Sequence, residues 1–338
     1  MESALTISAP TRAASSSARP DLPLAVGPAI SQTLGFAMSL ALTFITPSPD
    51  AEPAADARLE AAVVAAGGRV KARRTLGPGA EDWTVEEASP MALREAAQLA
   101  VAGLPVDLCV QPAEGRRKRL LLADMDSTII GCECLDELAD FAGRKAEVAA
   151  ITERAMRGEI GFEGALRERV AMLAGLELAA LDQCYHARVR LNPGARVLVS
   201  TMAAHGARCV LVSGGFKSFT GPVAAVAGFH ADFANTLLDD GLRLTGRVGE
   251  PILGREAKLA ALQREAAELG AALEETMAVG DGANDLDMIR AAGLGVAYRA
   301  KPVVAAEADA RLDHADLTGL LYFQGYAAAE FATADEAR

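Results

Sequence analysis

Four short apolar segments in the C-terminal two thirds of the chain limit its fold more than any other feature. Helical patterns separate them, and three of the four end in Gly, Ser or Asp. The segments are LLLAD (120–124), CVLVSGG (209–215), TMAVGD (276–281) and LGVAY (294–298). Short continuous apolar strands with helical crossovers are typical of a parallel sheet covered on both faces. We therefore predict an α/β core with a doubly wound parallel sheet, whose polar strand ends meet at one ligand site.

The stretch between the first two segments is too long for a single crossover helix. Residues 135–190 are helical in pattern. We therefore predict a helical cap at 135–190, inserted after the first strand of the core. The predicted catalytic core then consists of residues 114–134 and 191–330.

The chain before this core has a different order of elements. Residues 31–113 follow the order strand, helix, strand, strand, helix, strand, which is the ferredoxin-like α+β plan. The charged segment EGRRKR (114–119) marks the predicted domain boundary. Residues 1–30 are rich in Ala, Ser and Pro and are predicted to be a disordered tail.

The uncharged run at 22–49 has two interpretations. A short apolar core after arginines is the pattern of a signal peptide. Prolines interrupt the run, however, and its uninterrupted part (33–46) is shorter than the roughly 20 apolar residues that a membrane helix needs. We favour a buried strand over a signal peptide.

Composition narrows the class of protein. The formal net charge is −12 and the pI is near 4.9, which argues against a nucleic-acid partner, since phosphates need a basic surface. The five cysteines are odd in number and show no Cys-x-x-Cys spacing, so neither a disulfide framework nor a zinc site is indicated. These features predict a cytoplasmic protein with no nucleic-acid or membrane partner. The oligomeric state stays open, a homodimer included.

The first apolar segment ends in two carboxylates one residue apart, Asp124 and Asp126. Like charges this close repel, and each loses hydration when it is partly buried. A bound cation would offset the repulsion, and Ser127 and Thr128 add hydroxyls and amides that suit an oxygen-rich anion. A helix N-cap is the structural alternative, but one Asp would be enough for a cap.

Polar groups also follow two later strands. Ser213 and Gly214 have the pattern of a phosphate-binding turn, although Ser-Gly-Gly is also an ordinary turn. Asp281 and Asp285 belong to an acidic group that would repel itself without a cation, and hard oxygen ligands of this kind suit Mg²⁺. Asp287 lies in the same stretch and is predicted to be solvent-exposed.

Taken in order, the motifs DMDST (124–128), LVSGG (211–215), Lys258 and GDGAND (280–285) resemble those of the haloacid dehalogenase superfamily of phosphotransferases. Lys258 alone has the pattern of a surface lysine, and only its place in this order singles it out. Within the superfamily, residues 116–325 resemble the phosphoserine phosphatase family. The N-terminal module is only broadly similar to the ACT-like, amino-acid-binding extensions of that family.

The resemblance implies a hydrolase that cleaves a small molecule, phosphoserine, through an aspartyl-phosphate, as the last step of serine biosynthesis. Asp124 is implied as the nucleophile and Asp126 as the general acid and base. The implied Mg²⁺ ligands are Asp124, Asp126 (through its carbonyl), Asp281 and Asp285. The implied substrate-binding residues are Glu133, Arg169, Ser213, Gly214, Lys258 and Asn284.

Two other functions use similar parts. Another capped phosphatase or a phosphomutase of the same superfamily would share the core motifs, because substrate choice depends on Glu133 and Arg169 outside them. A response-regulator receiver also phosphorylates an aspartate at a strand end. In receivers the acidic pair precedes the acceptor aspartate, and they have no room for a cap, so this alternative is disfavoured.

Overall fold

The computed structural model describes residues 39–47, 52–156 and 159–333. The predicted tail at 1–30, and any signal peptide in that region, lie outside the described residues. Every element predicted above occurs within the described ranges, and some further elements appear that the sequence did not indicate.

The N-terminal part contains a four-stranded antiparallel sheet with two helices on one face. Its sheet order is β2-β3-β1-β4, which together with the chain order is the ferredoxin-like arrangement. The elements are β1 (Leu40–Ile45), α1 (Glu52–Ala65), β2 (Arg69–Gly77), β3 (Ala80–Glu86), α2 (Pro90–Ala100) and β4 (Asp107–Pro112). Alternate strand residues such as Phe44 and Trp83, whose rings meet edge to face at 5.1 Å, pack with apolar residues of both helices.

The core contains a six-stranded sheet in which every pairing is parallel. Its order is β12-β11-β10-β5-β6-β7, and a separate β8–β9 hairpin follows β7. The strands are β5 (Leu120–Asp124), β6 (Arg208–Phe216), β7 (Ala231–Asn235), β8 (Leu237–Asp239), β9 (Leu244–Val248), β10 (Thr276–Gly280), β11 (Leu294–Tyr298) and β12 (Ala310–Leu312). Along β5, Leu121 and Ala123 join one apolar cluster while Leu120 and Leu122 join another. The sheet is therefore buried on both faces, as predicted for a doubly wound fold.

Helices cover this sheet and also form the predicted helical insertion. The insertion contains α3 (Cys134–Phe141), α4 (Lys145–Met156), α5 (Phe162–Ala171) and α6 (Ala179–Arg188). The core helices are α7 (Ala195–Ala204), α8 (Lys217–Ala227), α9 (Arg255–Glu268), α10 (Leu286–Ala291), α11 (Pro302–Ala305) and α12 (Gly319–Phe323). None of the helices in the described ranges is long and apolar enough to cross a membrane.

The two chain segments that join the insertion to the core lie side by side. Ile130 and Leu191 form an antiparallel bridge, and the Asn192 N–H donates to the Ile129 carbonyl at 2.8 Å. At Gly194 the backbone has φ +80°, and a Cβ there would lie 2.7 Å from the Thr318 nitrogen. Only glycine meets both conditions, so this connection is fixed in shape.

The insertion also docks on the β8–β9 hairpin. The Leu244 N–H donates to the Leu176 carbonyl and the Gly175 N–H to the Leu244 carbonyl, both at 2.8 Å. Arg167 on α5 forms an ion pair with Glu250 just beyond the hairpin (2.8 Å). The hairpin therefore supports the cap along the C-terminal end of α5 and the turn that follows it, which the sequence did not indicate.

The charged segment 114–119, predicted as a boundary, is not a loose linker. Arg116 makes two 2.6 Å bonds to Asp82 on β3. The buried Lys118 donates to the Glu274 carbonyl of the core at 2.7 Å. Charges in this segment thus hold the N-terminal sheet and the core together.

Candidate active site

The polar strand ends of the core meet around one small cavity of about 140 Å³. Asp124 ends β5, Ser213 and Gly214 lie near the end of β6, and Asp281 directly follows β10. Because these strands are parallel neighbours, their carboxyl ends share one edge of the sheet. The charged and polar lining residues are Asp124, Asp126, Glu133, Arg169, Ser213, Asp281, Asn284 and Lys301.

A tight turn at Met125–Ile129 aims the second carboxylate. Ser127 has φ 58°, a left-handed conformation that a non-glycine residue seldom adopts. Its hydroxyl donates to Glu133 at 2.7 Å. The turn lets Asp126 accept the Cys134 N–H on one oxygen (2.8 Å) and the Ser213 hydroxyl on the other (3.0 Å). Asp126 is thus held beside the phosphate-binding type of turn at the end of β6.

Lys258 is 2% exposed, contrary to the pattern of its helix taken alone. Its ammonium donates to Asp124 and to Asp285, the latter at 2.6 Å. A buried ammonium between two carboxylates is a fixed positive charge next to the predicted nucleophile. It lies behind the cavity wall, since neither Lys258 nor Asp285 lines the cavity.

Asp124, Asp281 and Asp285 form an acidic cluster whose ligand oxygens all lie within 4.8 Å of one another. Asp285 accepts the Gly282 N–H at 3.0 Å. At Gly280 a Cβ would lie 2.4 Å from the Asp285 carboxyl carbon, so the close approach of this carboxylate requires glycine. Local backbone thus brings the third carboxylate into contact with the other two.

The carboxyl groups of the site are easier to protonate than ordinary aspartates. Burial, then the neighbouring Asp285, raises the pKa of Asp124 well above its usual range in spite of Lys258. Burial and Glu133 raise the pKa of Asp126 to about 6, and burial and Asp285 raise the pKa of Asp281 to about 6. Burial lowers the pKa of Lys258, but Asp124 and Asp285 raise it by more. The repulsion among these carboxylates is therefore larger than the attraction that the Lys258 ammonium provides.

This crowding fits a bound metal ion. Among the described residues, four carboxylates but only two cations line the cavity, and the acidic cluster offers hard oxygen donors close together. Hard divalent cations prefer such donors. The carboxylate of Asp126 accepts bonds from Ser213 and Cys134 and stands outside the acidic cluster.

The side of the cavity formed by the insertion carries Glu133 and Arg169. Arg169 is half-buried on α5, and among the described residues its one hydrogen bond runs from Nε to the Ala165 carbonyl of its own helix (3.3 Å). Burial lowers its guanidinium pKa, against Asp136 and Glu133, which raise it. A guanidinium without a carboxylate bond in a cavity wall can bind a planar anion in two-point fashion.

Phe162, at the start of α5, forms an apolar part of the wall. Its ring lies 3.3 Å from where a Cβ would stand at Gly214 and at Gly254, so small residues on the core side let the cap approach closely.

The structure brings every predicted site residue to this cavity or directly behind it. Asp287, predicted to be solvent-exposed, is half-buried in an ion pair with Arg255, and it stays out of the cavity. Lys301 lines the cavity but was missed, because a lysine before a proline resembles any loop residue. Its only sequence signal is its position just after β11.

Other proteins are similar to this chain in sequence and in fold. The sequence profile of the haloacid dehalogenase-like hydrolase family matches residues 121–290. A phosphoserine phosphatase of Streptomyces coelicolor is 44% identical over 259 residues, which are 76% of this chain and 63% of that protein. A phosphoserine phosphatase of Polaromonas is 46% identical over 225 residues, 65% of this chain and 95% of that protein. The chain thus spans less than two thirds of the length of the first of these relatives.

Solved structures agree with the fold. A family hydrolase of Salmonella enterica is similar with a TM-score of 0.73 and 27% identity, over 85% of this chain and 98% of that one. A phosphoserine phosphatase with a phospho-aspartyl intermediate analogue has a TM-score of 0.57 and 37% identity, over 61% of this chain and 98% of that one. The resemblance seen in the motifs is confirmed: this chain belongs to the haloacid dehalogenase-like hydrolase family.

Proposed function

We propose that this hydrolase cleaves O-phospho-L-serine to L-serine and phosphate through an aspartyl-phosphate, with Mg²⁺ as its metal. The proposal rests above all on the pair Asp124 and Asp126. One carboxylate is buried against an ammonium, and the other is held two residues away with a pKa of about 6. The names of the relatives support the choice of substrate.

In the first half-reaction an oxygen of Asp124 attacks phosphorus and the bond from phosphorus to the serine oxygen breaks. Asp126, in its protonated form, gives its proton to that leaving oxygen. A pKa near 6 suits this role, because a useful acid is one that is still partly protonated near neutral pH. The products of this half are free serine and a phosphorylated Asp124.

In the second half-reaction Asp126 is ionised and takes a proton from water as that water attacks phosphorus. The bond between phosphorus and Asp124 breaks, which releases phosphate and restores the carboxylate. Splitting one displacement into two through a covalent intermediate lowers each barrier. Asp126 can act as an acid and then as a base because it gives up one proton in the first half-reaction and takes up one proton in the second.

The metal would be held by Asp124, Asp281 and the Asp126 carbonyl, with Asp285 in support. When bound, Mg²⁺ neutralises charge on the phosphoryl oxygens and on the crowded carboxylates. Ser213 and the backbone at Gly214 would bind the same phosphoryl oxygens from the cavity wall, and Lys258 would bind them from behind Asp124, to which its ammonium is bonded. Fixed donors of this kind stabilise the charge that builds up during transfer.

Substrate choice would depend on the two charged residues of the other wall. Glu133 would bind the ammonium of phosphoserine and Arg169 its carboxylate, with Asn284 reaching the substrate or the incoming water. The ring of Phe162 would cover the serine methylene. The cap would keep bulk water out of the first half-reaction and open to admit water in the second.

The location of the enzyme is also part of this proposal. All five cysteines are free thiols, and a cytoplasmic enzyme of serine biosynthesis would keep them reduced. Burial raises the pKa of Cys109 and Cys209 to about 12, so both are inert fillers of the core.

The test is steady-state turnover on a panel of phosphomonoesters with Mg²⁺, together with phosphate trapping. Phosphoserine should exceed phosphothreonine, glycerol phosphate and an aryl phosphate in kcat/KM. Asp124→Asn should form no phosphoenzyme, whereas Asp126→Asn should still form one slowly. Preference for another ester would replace the substrate but leave the mechanism, while equal trapping by both variants would refute the assigned roles. Phosphate moved to a second position of the substrate would indicate a phosphomutase.

A further inference from the structure

Lys301 is a cation at the candidate active site to which the mechanism proposed above gives no role. It is the N-cap residue of the short helix α11, in the loop after β11, and its backbone N–H donates to the Asp281 carbonyl at 3.1 Å. That bond fixes the start of the side chain beside the acidic cluster. The side chain is exposed and lines the cavity.

Its ammonium is unusual among the lysines of this chain. The other five lysines each donate to, or form an ion pair with, a carboxylate or a carbonyl. Across the described ranges, the Lys301 ammonium has no hydrogen bond or ion pair. An unpaired ammonium costs nothing in solvent, but next to an acidic cluster it is available to an incoming anion.

The negative charge of the whole protein makes a free cation at the cavity useful for binding an anion. The chain carries a formal net charge of −12, and four carboxylates line the cavity. A phosphate ester dianion is therefore repelled over most of its approach, and a local cation at the entrance raises its concentration there. Within the part of the chain that the structure describes, Arg169 and Lys301 are the two cations that line the cavity.

The two cations serve different ends of the cavity. Arg169 interacts with Glu133 and Asp136 on the cap side, where the serine part of the ligand would lie. Lys301 acts on Asp281, on the side of Asp124, where the phosphoryl group would lie. Arg169 can thus bind the carboxylate of the substrate, while Lys301 can bind only the phosphoryl group.

We propose that Lys301 is a positioning residue for the phosphoryl group: its ammonium draws the phosphate dianion to Asp124 and holds inorganic phosphate before release. This inference rests on the proposed phosphatase function but not on phosphoserine as the substrate. It needs no covalent step and no change in the roles of Asp124 and Asp126. It predicts an effect on every phosphomonoester and on the phosphate product alike.

The test compares Lys301→Gln, Lys301→Arg and the control Arg299→Gln in the Mg²⁺-loaded protein. Arg299 is an exposed cation two residues away that does not line the cavity, so its variant removes the same charge from the same strand end. Lys301→Gln keeps the backbone bonds that begin α11, and an unchanged melting temperature would show that it folds.

Lys301→Gln should raise KM for phosphoserine and for an aryl phosphate by about 5–10-fold each, as expected for one lost charge contact near a surface. The inhibition constant for inorganic phosphate should rise by the same factor, while kcat changes less than about twofold. Lys301→Arg should restore most of the loss, and Arg299→Gln should change KM less than about twofold. Added salt should weaken capture by the wild type more than by Lys301→Gln.

Three results would overturn the proposal. They are a fall in kcat at constant KM, an effect confined to phosphoserine, or unchanged inhibition by inorganic phosphate. If phosphoserine proves not to be the substrate, the aryl phosphate and inorganic phosphate measurements still decide the role of Lys301. If no ester is turned over at all, the role of Lys301 is decided by calorimetry, which compares the binding of inorganic phosphate to the wild type and to Lys301→Gln.

Discussion

The N-terminal sheet and the core sheet both bury aspartates, but they treat them in opposite ways. In the N-terminal sheet, Asp82 accepts two bonds from Arg116 at 2.6 Å and one from Thr43 at 2.8 Å. Burial raises its pKa, yet Arg116 and Thr43 lower it by more, so that the carboxylate stays ionised. At the ends of the core strands, Asp124 and Asp285 instead face each other across one ammonium.

Asp107 on β4 shows that the buried aspartates of the N-terminal sheet differ from those of the active site in their hydrogen-bond partners rather than in the direction of their pKa shift. Burial raises its pKa in spite of its hydrogen bonds. Its oxygens nevertheless accept the backbone N–H groups of Asp313, His314 and Ala315, two of them at 2.7 Å. A carboxylate whose oxygens are filled by protein donors stabilises a domain junction. One whose nearest neighbours are other carboxylates is ready for a ligand that the protein does not supply.

The largest expected effect tests this difference by removing one charge from each region. Asp124→Asn should lower kcat by about 10³-fold or more, because an amide is a poor nucleophile. Asp82→Asn removes an equally buried charge and should change kcat per folded molecule less than about twofold. Turnover of an aryl phosphate, corrected for the folded fraction by circular dichroism, measures both. A large loss of kcat in folded Asp82→Asn would mean that the N-terminal sheet also shapes the site.

The next effect concerns stability. Arg116→Ala leaves Asp82 buried with one weaker ion-pair partner, Arg74, which is 54% exposed and bonds it at 3.3 Å, and should lower the free energy of unfolding by about 3 kcal/mol. Arg69→Ala is the matched control, because Arg69 is 60% exposed in its ion pair with Glu86 and should cost about 0.5 kcal/mol or less. Urea unfolding measures the difference between the two. Equal losses would show that the Asp82 pair is no more than a surface contact.

The sequence predicted this contrast only in part, for a physical reason. Motif residues at strand ends, such as Asp124 and Ser213, are placed by the periodicity of their own strands, so their convergence follows from local pattern. Partners that come from distant parts of the chain have no local signal. The bond from Asp107 to the 313–315 turn and the bonds of Arg116 to Asp82 belong to this group.

The same reasoning accounts for the elements that were missed. The strand β7 is short and only partly buried, and β12 has three residues, so neither gives a clear apolar run. The hairpin β8–β9 alternates weakly because one side supports the cap. Lys258 was recognised only through the order of the motifs, since the pattern of α9 cannot show that the ends of β5 and β10 bury its ammonium.

A smaller effect separates the two cations of the active site from each other. Arg169→Ala should lower kcat/KM for phosphoserine by about 10–100-fold, the usual worth of a charged bond to a carboxylate. An aryl phosphate, which has no carboxylate, should lose about twofold or less. Arg169→Lys should recover only part of the lost kcat/KM, because an ammonium cannot donate two parallel hydrogen bonds to a carboxylate as a guanidinium does. Arg144→Ala, which removes an exposed cation 55% accessible on the same cap, is the control. Equal losses on both substrates would move Arg169 to the phosphoryl group or to a structural role.

The smallest effect is the sharpest test of the comparison, because its sign should reverse when metal is added. Burial and Asp285 raise the pKa of Asp281 from 3.8 to about 6. Between these values the folded protein holds a proton that the unfolded chain has lost, so stability falls as the pH rises from about 4 to about 6 and stays lower above it. Asp281→Asn removes that dependence.

Without metal at about pH 7.5, Asp281→Asn should therefore be more stable than the wild type by about 1 kcal/mol, with allowance for partial exposure of the carboxylate. The advantage should vanish near pH 4, where both side chains are neutral. With Mg²⁺ at a hundred times its dissociation constant, the wild type should gain about 2.7 kcal/mol and the variant much less. Urea midpoints in EDTA and in Mg²⁺ measure both signs. If Asp281→Asn is less stable than the wild type in EDTA, the carboxylate of Asp281 already has sufficient partners within the protein, as Asp82 has. Only a carboxylate that lacks such partners is expected to gain stability when an amide replaces it.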